Sequence, residues 1–217
     1  MSVPTAVRPR SVFACDKDAL LALLAVHSTP EARILDCCHN TGKMWKGVHA
    51  LIDTMDIDPM YGCDIVGDFR SMPFADHAYD VIAFDPPHLP NAYSTNGRKT
   101  GHADVYGVRT ADSDRQADNV TGYFDAFLGE ASRVLRPGGI VLAKLADYVH
   151  NHRYQWQHVD FVVAVRAAGM TPCDIGIVAH PAAGNLQSSK WQNVRHLRRA
   201  HSYWIVVRNS SKCEAAA

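Results

Sequence analysis

The chain has 217 residues, with 22 lysines and arginines against 22 aspartates and glutamates, so its formal net charge is zero. A hydrophobic content of 47% allows a sizeable core, and the length suits one domain. Neutrality argues against a uniformly basic nucleic-acid wrapper but leaves room for a local basic patch.

Residues 1–12 carry two prolines and two arginines without a period and read as an arm. Asp16 to Ser28 has helical apolar spacing, which Pro30 ends. "RILDC" predicts a short buried strand, "CHNTGKMW" the turn after it, and Lys43 to His49 a brief helix. "ALIDTMDI" predicts a second strand, "CDIVGDF" a short third, and "YDVIAFD" another clear one. Gly122 to Leu135 predicts an amphipathic helix closed by "RPGG", followed by the strand "GIVLAKLAD". "WQHVDFVVAVRAAG" predicts a helix ended by Gly169, and "PCDIGIVAH" and "SYWIVVRN" the last strands. Continuous apolar strands alternating with helices imply an α/β fold with a mostly parallel sheet covered on both faces. The last two strands have no helix-length pattern between them, which suits an antiparallel hairpin at the sheet edge. The segment 89–120 is polar and without period; a loop of about thirty residues in a compact domain implies a use, here a lid or substrate-contacting insertion.

Six cysteines without CxxC spacing read as reduced thiols, which suits a cytoplasmic protein. No apolar run reaches the ~18 residues of a membrane span, and no secretory h-region is expected at the N-terminus. No metal-ligand set is apparent.

Ligands of open α/β sheets sit beyond the carboxyl ends of the strands. Asp36 ends the first strand run, Asp56 the second, and Asp68 the short one after it. Thr41 and Gly42 offer a tight turn with exposed backbone N–H groups, and an acid one βαβ step later can accept both hydroxyls of a ribose. Together these residues can line a nucleoside-shaped groove. The turn has one glycine where a pyrophosphate fingerprint has three, which argues against a dinucleotide-dependent oxidoreductase. Asp58, before Pro59, reads better as a turn acid. The next strand ends in "DPPH": an acid, two stiff residues and a histidine.

These motifs together resemble a class I S-adenosylmethionine-dependent methyltransferase over residues 33–145. "ILDCCHNTG" resembles the family's first motif, "MDIDP" its ribose-binding acid motif, and "GDFRSMPF" its adenine-side loop. "ASRVLRPGGIVLAKL" is close to its helix and following strand, and "DPPH" resembles the (D/N/S)PP(Y/F/W) motif of amino-directed nucleic-acid methyltransferases. The resemblance implies a Rossmann-like fold and S-adenosyl-L-methionine as cofactor. It implies that Asp36, Cys37, His39, Thr41 and Gly42 hold the methionine end, that Asp56 and Ile57 meet the ribose, and that Asp68 and Phe69 lie beside adenine. It further implies a segment before the first strand that folds over the methionine, with Phe13 as its contact. Cys38 and Asn40 stand where the family has glycines, and His88 where it has a larger aromatic.

Asp85, Pro86, Pro87 and His88 would form the catalytic turn. An exocyclic amine is a poor nucleophile, its lone pair delocalised into the ring. The Asp85 carboxylate and the Pro86 carbonyl, free of its own N–H, are two aimed acceptors for its protons. His88 offers a stacking ring. The expected partner is nucleic acid, DNA adenine N6 first, with cytosine N4 and RNA behind it. From Ile175 to Cys213 there is no Asp or Glu, and Lys190, Trp191, Arg195, Arg198 and Arg199 form a basic stretch with one aromatic. With Tyr93 of the insertion they are the expected substrate contacts. Target selection would fall to these segments, a homodimer or a separate recognition subunit. Two other functions stay open: methylation of a small heteroaromatic or peptide amine, and a non-catalytic methyltransferase-like subunit that binds nucleic acid.

Overall fold

A computed structural model of the chain describes residues 10–86, 123–150, 153–180, 196–197 and 199–210. In chain order these form β1 (Val12–Phe13), α1 (Asp16–His27), β2 (Arg33–Asp36), β3 (Leu51–Asp56), β4 (Ile65–Val66) and β5 (Tyr79–Phe84). Beyond residue 122 come α2 (Phe124–Val134), β6 (Leu135–Leu145), β7 (Tyr148–His150), β8 (Arg153–Gln155), α3 (Gln157–Ala167), β9 (Thr171–Ala179) and β10 (His201–Arg208). Short 3-10 turns follow β2 and β3, at Lys43–Trp45 and Pro59–Tyr61.

Eight strands make one sheet in the order β1-β9-β10-β6-β5-β2-β3-β4. β6, β5, β2, β3 and β4 run parallel to one another, whereas β10 is antiparallel to both β6 and β9. The predicted C-terminal hairpin is therefore present as an antiparallel pair. Its second strand lies inside the sheet, and β1 adds two residues of the supposed arm beyond β9. β7 and β8 form a separate small hairpin that no alternation in the sequence announced.

Two cores cover the two faces. Residue alternation sorts the strands: Ile82 and Phe84 of β5 and Val141, Ala143 and Leu145 of β6 pack with α2 and α3. Val81 and Ala83, with Ile140 and Leu142, pack with α1. α2 buries Phe124, Phe127, Leu128, Ala131 and Val134, one stripe at helical spacing. It passes into β6 without a loop. "RPGG" begins that strand rather than following the helix, with Gly138 at φ 77° where the β5 register shifts. α1 starts with Asp16 and Asp18 and ends with His27, which matches the charge sense of the helix dipole.

Candidate active site

Asp36 and Asp56 are the last residues of β2 and β3, Asp85 follows β5, and Asp68 lies two residues past β4. Because these strands are parallel, all four acids stand at one end of the sheet, as their repeated place after apolar runs predicts.

Asp36 shares the α1 face with Ile34 and is wholly buried. It accepts the indole N–H of Trp45 at 2.7 Å and a bond from the Cys38 amide at 3.3 Å, and its Oδ2 lies 2.9 Å from Nδ1 of His39. Burial pushes its carboxyl up, partly offset by His39 and Trp45. The Asp36 bond pushes His39 up in turn. The ring of His39 lies over Gly42, at φ 63°, where an added Cβ would come within 2.7 Å of His39 Cε1. Asp36 thus stands beneath the first turn and braces it. His39, Thr41 and Gly42 are its more open residues, and Cys37 is buried with its thiol donating to the Ala83 carbonyl at 3.2 Å.

Asp56 joins this turn to the next. Its two oxygens accept the Asn40 amide at 2.8 Å and the Asp58 amide at 3.0 Å. Asn40 reaches its partner with φ 51°, a left-handed conformation that asparagine tolerates in place of the expected glycine. Asp58 accepts the Met60 amide at 2.9 Å and caps the following 3-10 turn, as its place before Pro59 suggests. Ile57, beside Asp56, is 57% exposed, and Met60 is 88% exposed. Asp68 is turned toward Arg70 at 2.6 Å; that arginine outweighs burial and holds the carboxyl below its usual range. Phe69 stands edge-on to Phe84 at 5.3 Å and to Tyr123 at 5.6 Å, half inside the core.

The same alternation that puts Val81 and Ala83 on the α1 face carries Asp85 there, and Lys144 follows Ile140 and Leu142. The register pairs Phe84 with Ala143 and Lys144 with Trp204, so these side chains converge. Lys144 Nζ donates to Asp85 Oδ2 at 3.3 Å and lies 3.1 Å from Asp16 Oδ2, at the first turn of α1. Trp204 Nε1 donates to the other Asp16 oxygen at 3.1 Å. The three charged side chains are only 17–26% exposed. Burial alone would lower the Lys144 pKa; Asp85 and Asp16 outweigh it and leave it raised. Pro86 is buried beside Asp85.

Lys144 and Asp16 have no motif behind them. The signal was a single lysine inside the apolar strand "GIVLAKL". Asp16 belongs to the segment expected to reach the methionine end; the ring of Phe13 in that segment packs against Gly176 of β9 and the α1 side of the core. Tyr123, also unannounced, is half-buried and pushed up by desolvation, with Cys38, Tyr148 and Asp85 close enough to add to the shift. Of the expected acceptor contacts, Arg199 is described: it is half-buried near Tyr154, Asp147 and Tyr148. Pro87, His88, Tyr93, Lys190, Trp191, Arg195 and Arg198, like the expected insertion at 89–120, lie outside the described residues.

The strand order, the reversed β10 and the acids on one edge define the Rossmann-like class I methyltransferase fold, and solved structures agree. The chain is similar to 1,6-didemethyltoxoflavin-N1-methyltransferase of Burkholderia thailandensis, solved with 1,6-didemethyltoxoflavin and S-adenosylhomocysteine (TM-score 0.54, 13% identity, 91% of this chain and 79% of that one). It is similar to a methyltransferase of Haloferax volcanii solved with the Trm112 methyltransferase activator (TM-score 0.55, 17% identity, 88% of each chain). The [4+2]-cyclase SpnF shares the fold as well (TM-score 0.53, 16% identity, 88% and 81%). No protein-family model and no curated protein matches the chain. Among the described residues no helix is long and apolar enough to cross a membrane.

Proposed function

We propose that this protein is an S-adenosylmethionine-dependent methyltransferase of an exocyclic amine on a nucleic-acid base, with adenine N6 in DNA as the first candidate. The observation that carries this reading is Asp85: a partly open carboxylate at the end of β5, one strand from the Asp36 turn, with Oδ2 tied to Lys144. The cyclase neighbour makes clear that the fold by itself does not choose the reaction.

The residues present fit the cofactor. Asp56 holds its loops through backbone N–H groups rather than a cation, and each of its oxygens keeps acceptor capacity for a ribose hydroxyl. Ile57 and Met60 leave apolar surface beside it for a flat ring. A neighbour of the same fold holding S-adenosylhomocysteine supports the assignment. When bound, S-adenosylmethionine supplies an electrophilic methyl on a sulfonium. The chain's part is to present the amine to it. Asp85 accepts an N–H of the amine, with the Pro86 carbonyl as the second expected acceptor, and this localises the lone pair on nitrogen. Lys144 donates to Asp85 Oδ2 and fixes its rotamer, so the dominant contribution is positioning. Asp56 and the Asp36 turn would hold the cofactor, which would supply its methyl to the amine nitrogen, and Asp85 would keep its bond to the amine N–H until that proton leaves late.

The neighbour acting on N1 of 1,6-didemethyltoxoflavin supports a second reading, a small heteroaromatic amine. Incubation with S-adenosylmethionine and adenine- or cytosine-containing oligonucleotides, DNA and RNA, followed by nucleoside mass spectrometry, separates the two. A gain of one methyl on a nucleobase amine is expected. Methylation of small heteroaromatics alone overturns the nucleic-acid reading.

A further inference from the structure

Beyond Leu145 the chain leaves the sheet at the same end as Asp85 and builds something the methyl-transfer chemistry does not use. Asp147 is 1% exposed. It accepts a bond from the His158 amide at 3.2 Å and one from the Tyr154 hydroxyl at 3.3 Å, and its Oδ1 lies 2.7 Å from His158 Nδ1. A buried carboxylate is a costly way to dock a hairpin on a helix, since apolar packing does that without desolvating a charge. What the acid adds is direction: it holds two rings, one on β8 and one on α3, in fixed planes.

Those rings carry others. His158 stacks on Tyr203 at 4.1 Å and 18°, and the Tyr203 hydroxyl is 2.9 Å from His201 Nε2. Tyr154 backs Trp156 at 4.8 Å. Trp156 is 56% exposed, a large apolar ring kept at the surface by a rigid support. Arg199 is half-buried near Tyr154, Asp147 and Tyr148; burial pulls its pKa down, opposed by Tyr154 and Asp147. The cluster is continuous with the acceptor end. Gln157, next to Trp156, lies 3.4 Å through Nε2 from the Tyr123 hydroxyl, and Tyr123 packs edge-on against Phe84, the last residue of β5.

We infer that Trp156, backed by Tyr154, is a stacking platform for a nucleobase adjacent to the methylated one, with the Arg199 guanidinium on the Tyr154 side for its phosphate. This rests on the nucleic-acid reading above and names the second subsite of the same acceptor. An exposed aromatic face takes any base, while a nearby cation takes the backbone; single strands are held in this way.

The test uses a fluorescein-labelled, single-stranded mixed-sequence DNA 12-mer containing adenine. Its affinity is read by anisotropy, and methyl transfer to it is measured with the native protein, Trp156→Phe, Trp156→Ala and Arg199→Gln. Trp156→Ala is expected to weaken binding about 5- to 150-fold, the range for losing one stacked base. Trp156→Phe should keep most of the affinity, which also shows that the hairpin still folds. Arg199→Gln should weaken binding and lower its salt dependence. Methyl transfer in Trp156→Ala should recover at saturating 12-mer, a KM effect without a kcat effect. Binding within twofold of native in Trp156→Ala, or no binding of the 12-mer by the native protein, overturns the platform. Tight binding that depends on Trp156 but brings no methyl to a base amine keeps the platform and overturns the amine reading instead.

Discussion

The two ends of the sheet handle charge differently. Where the parallel strands begin, acids meet arginines. Arg33 binds Asp53 at 2.7 Å, Arg136 binds Asp80 at 2.8 Å, and Arg133 reaches Glu130 at 2.7 Å and Asp76 at 2.9 Å. The Arg33 and Arg136 pairs tie neighbouring strands together, while Arg133 links α2 to the segment before β5, and most of these arginines are half exposed. Where the strands finish, Asp36 and Asp56 are buried and held by amide and ring N–H groups, and Asp85 shares one lysine with Asp16. The first arrangement neutralises each acid and fixes register. The second keeps carboxylates oriented by N–H donors inside the fold, with Asp56 and Asp85 at the edge where a ligand would sit.

The largest effect should come from Asp85. Asp85→Ala is expected to lower kcat for methyl transfer by at least about a hundredfold, within the span of positioned acid–base groups, while S-adenosylmethionine still binds. Asp85→Asn keeps one acceptor oxygen and should retain clearly more activity than Ala. Equal damage in single-turnover assays would make the carboxylate an obligatory proton sink instead.

Asp56 comes next. Removing its acceptor oxygens should cost about 1.5–3 kcal/mol of cofactor binding, roughly tenfold to over a hundredfold by calorimetry. Arg33→Ala, at the opposite end of the same sheet, should leave that affinity unchanged. If both variants bind alike, the two ends do not differ in the way described.

Lys144→Met sharpens the contrast through stability. It leaves Asp16 and Asp85 facing each other without their shared cation, at a cost of about 1–3 kcal/mol, below the value for fully buried pairs because the groups keep some exposure. Asp16→Asn in that background should restore part of the loss in urea unfolding. An additive double mutant would mean that the three groups are not coupled.

The smallest effect is pH-dependent. The Asp36 bond raises the His39 pKa on folding. Its contribution is therefore complete below the unfolded value near 6.5 and is lost as pH rises through the higher folded value. The size is on the order of 1 kcal/mol, below that of a fully buried charged hydrogen bond because the His39 ring keeps some exposure. The urea midpoint of the native protein should fall across that window relative to His39→Asn. Parallel curves for the two proteins would place no titrating bond there.

Much of the edge was legible beforehand because its signals are local. An acid after a short apolar run marks a strand end, and a run of such ends in an alternating pattern marks one edge of a parallel sheet. Asp36, Asp56 and Asp85 needed nothing more. Asp58 before Pro59 was equally local. The direction of the Asp36 side chain was not, since only the packed turn puts both Trp45 and His39 on its Oδ2. The β7–β8 hairpin escaped because three-residue strands are too short to show a period.

The order and character of residues along the chain thus determined an α/β fold, its apolar strands and the acids that end them, since periodicity and strand-terminal chemistry act between near neighbours. Tertiary structure alone decided which charges meet. β10 enters between β6 and β9, the β5–β6 register sets Asp85 beside Lys144, and side-chain alternation turns both toward the first turn of α1, where Asp16 completes the group. Lys144 and Asp16 are 128 positions apart, and no local pattern encodes such a meeting; it follows from strand pairing and from the burial that makes a shared ion worth forming.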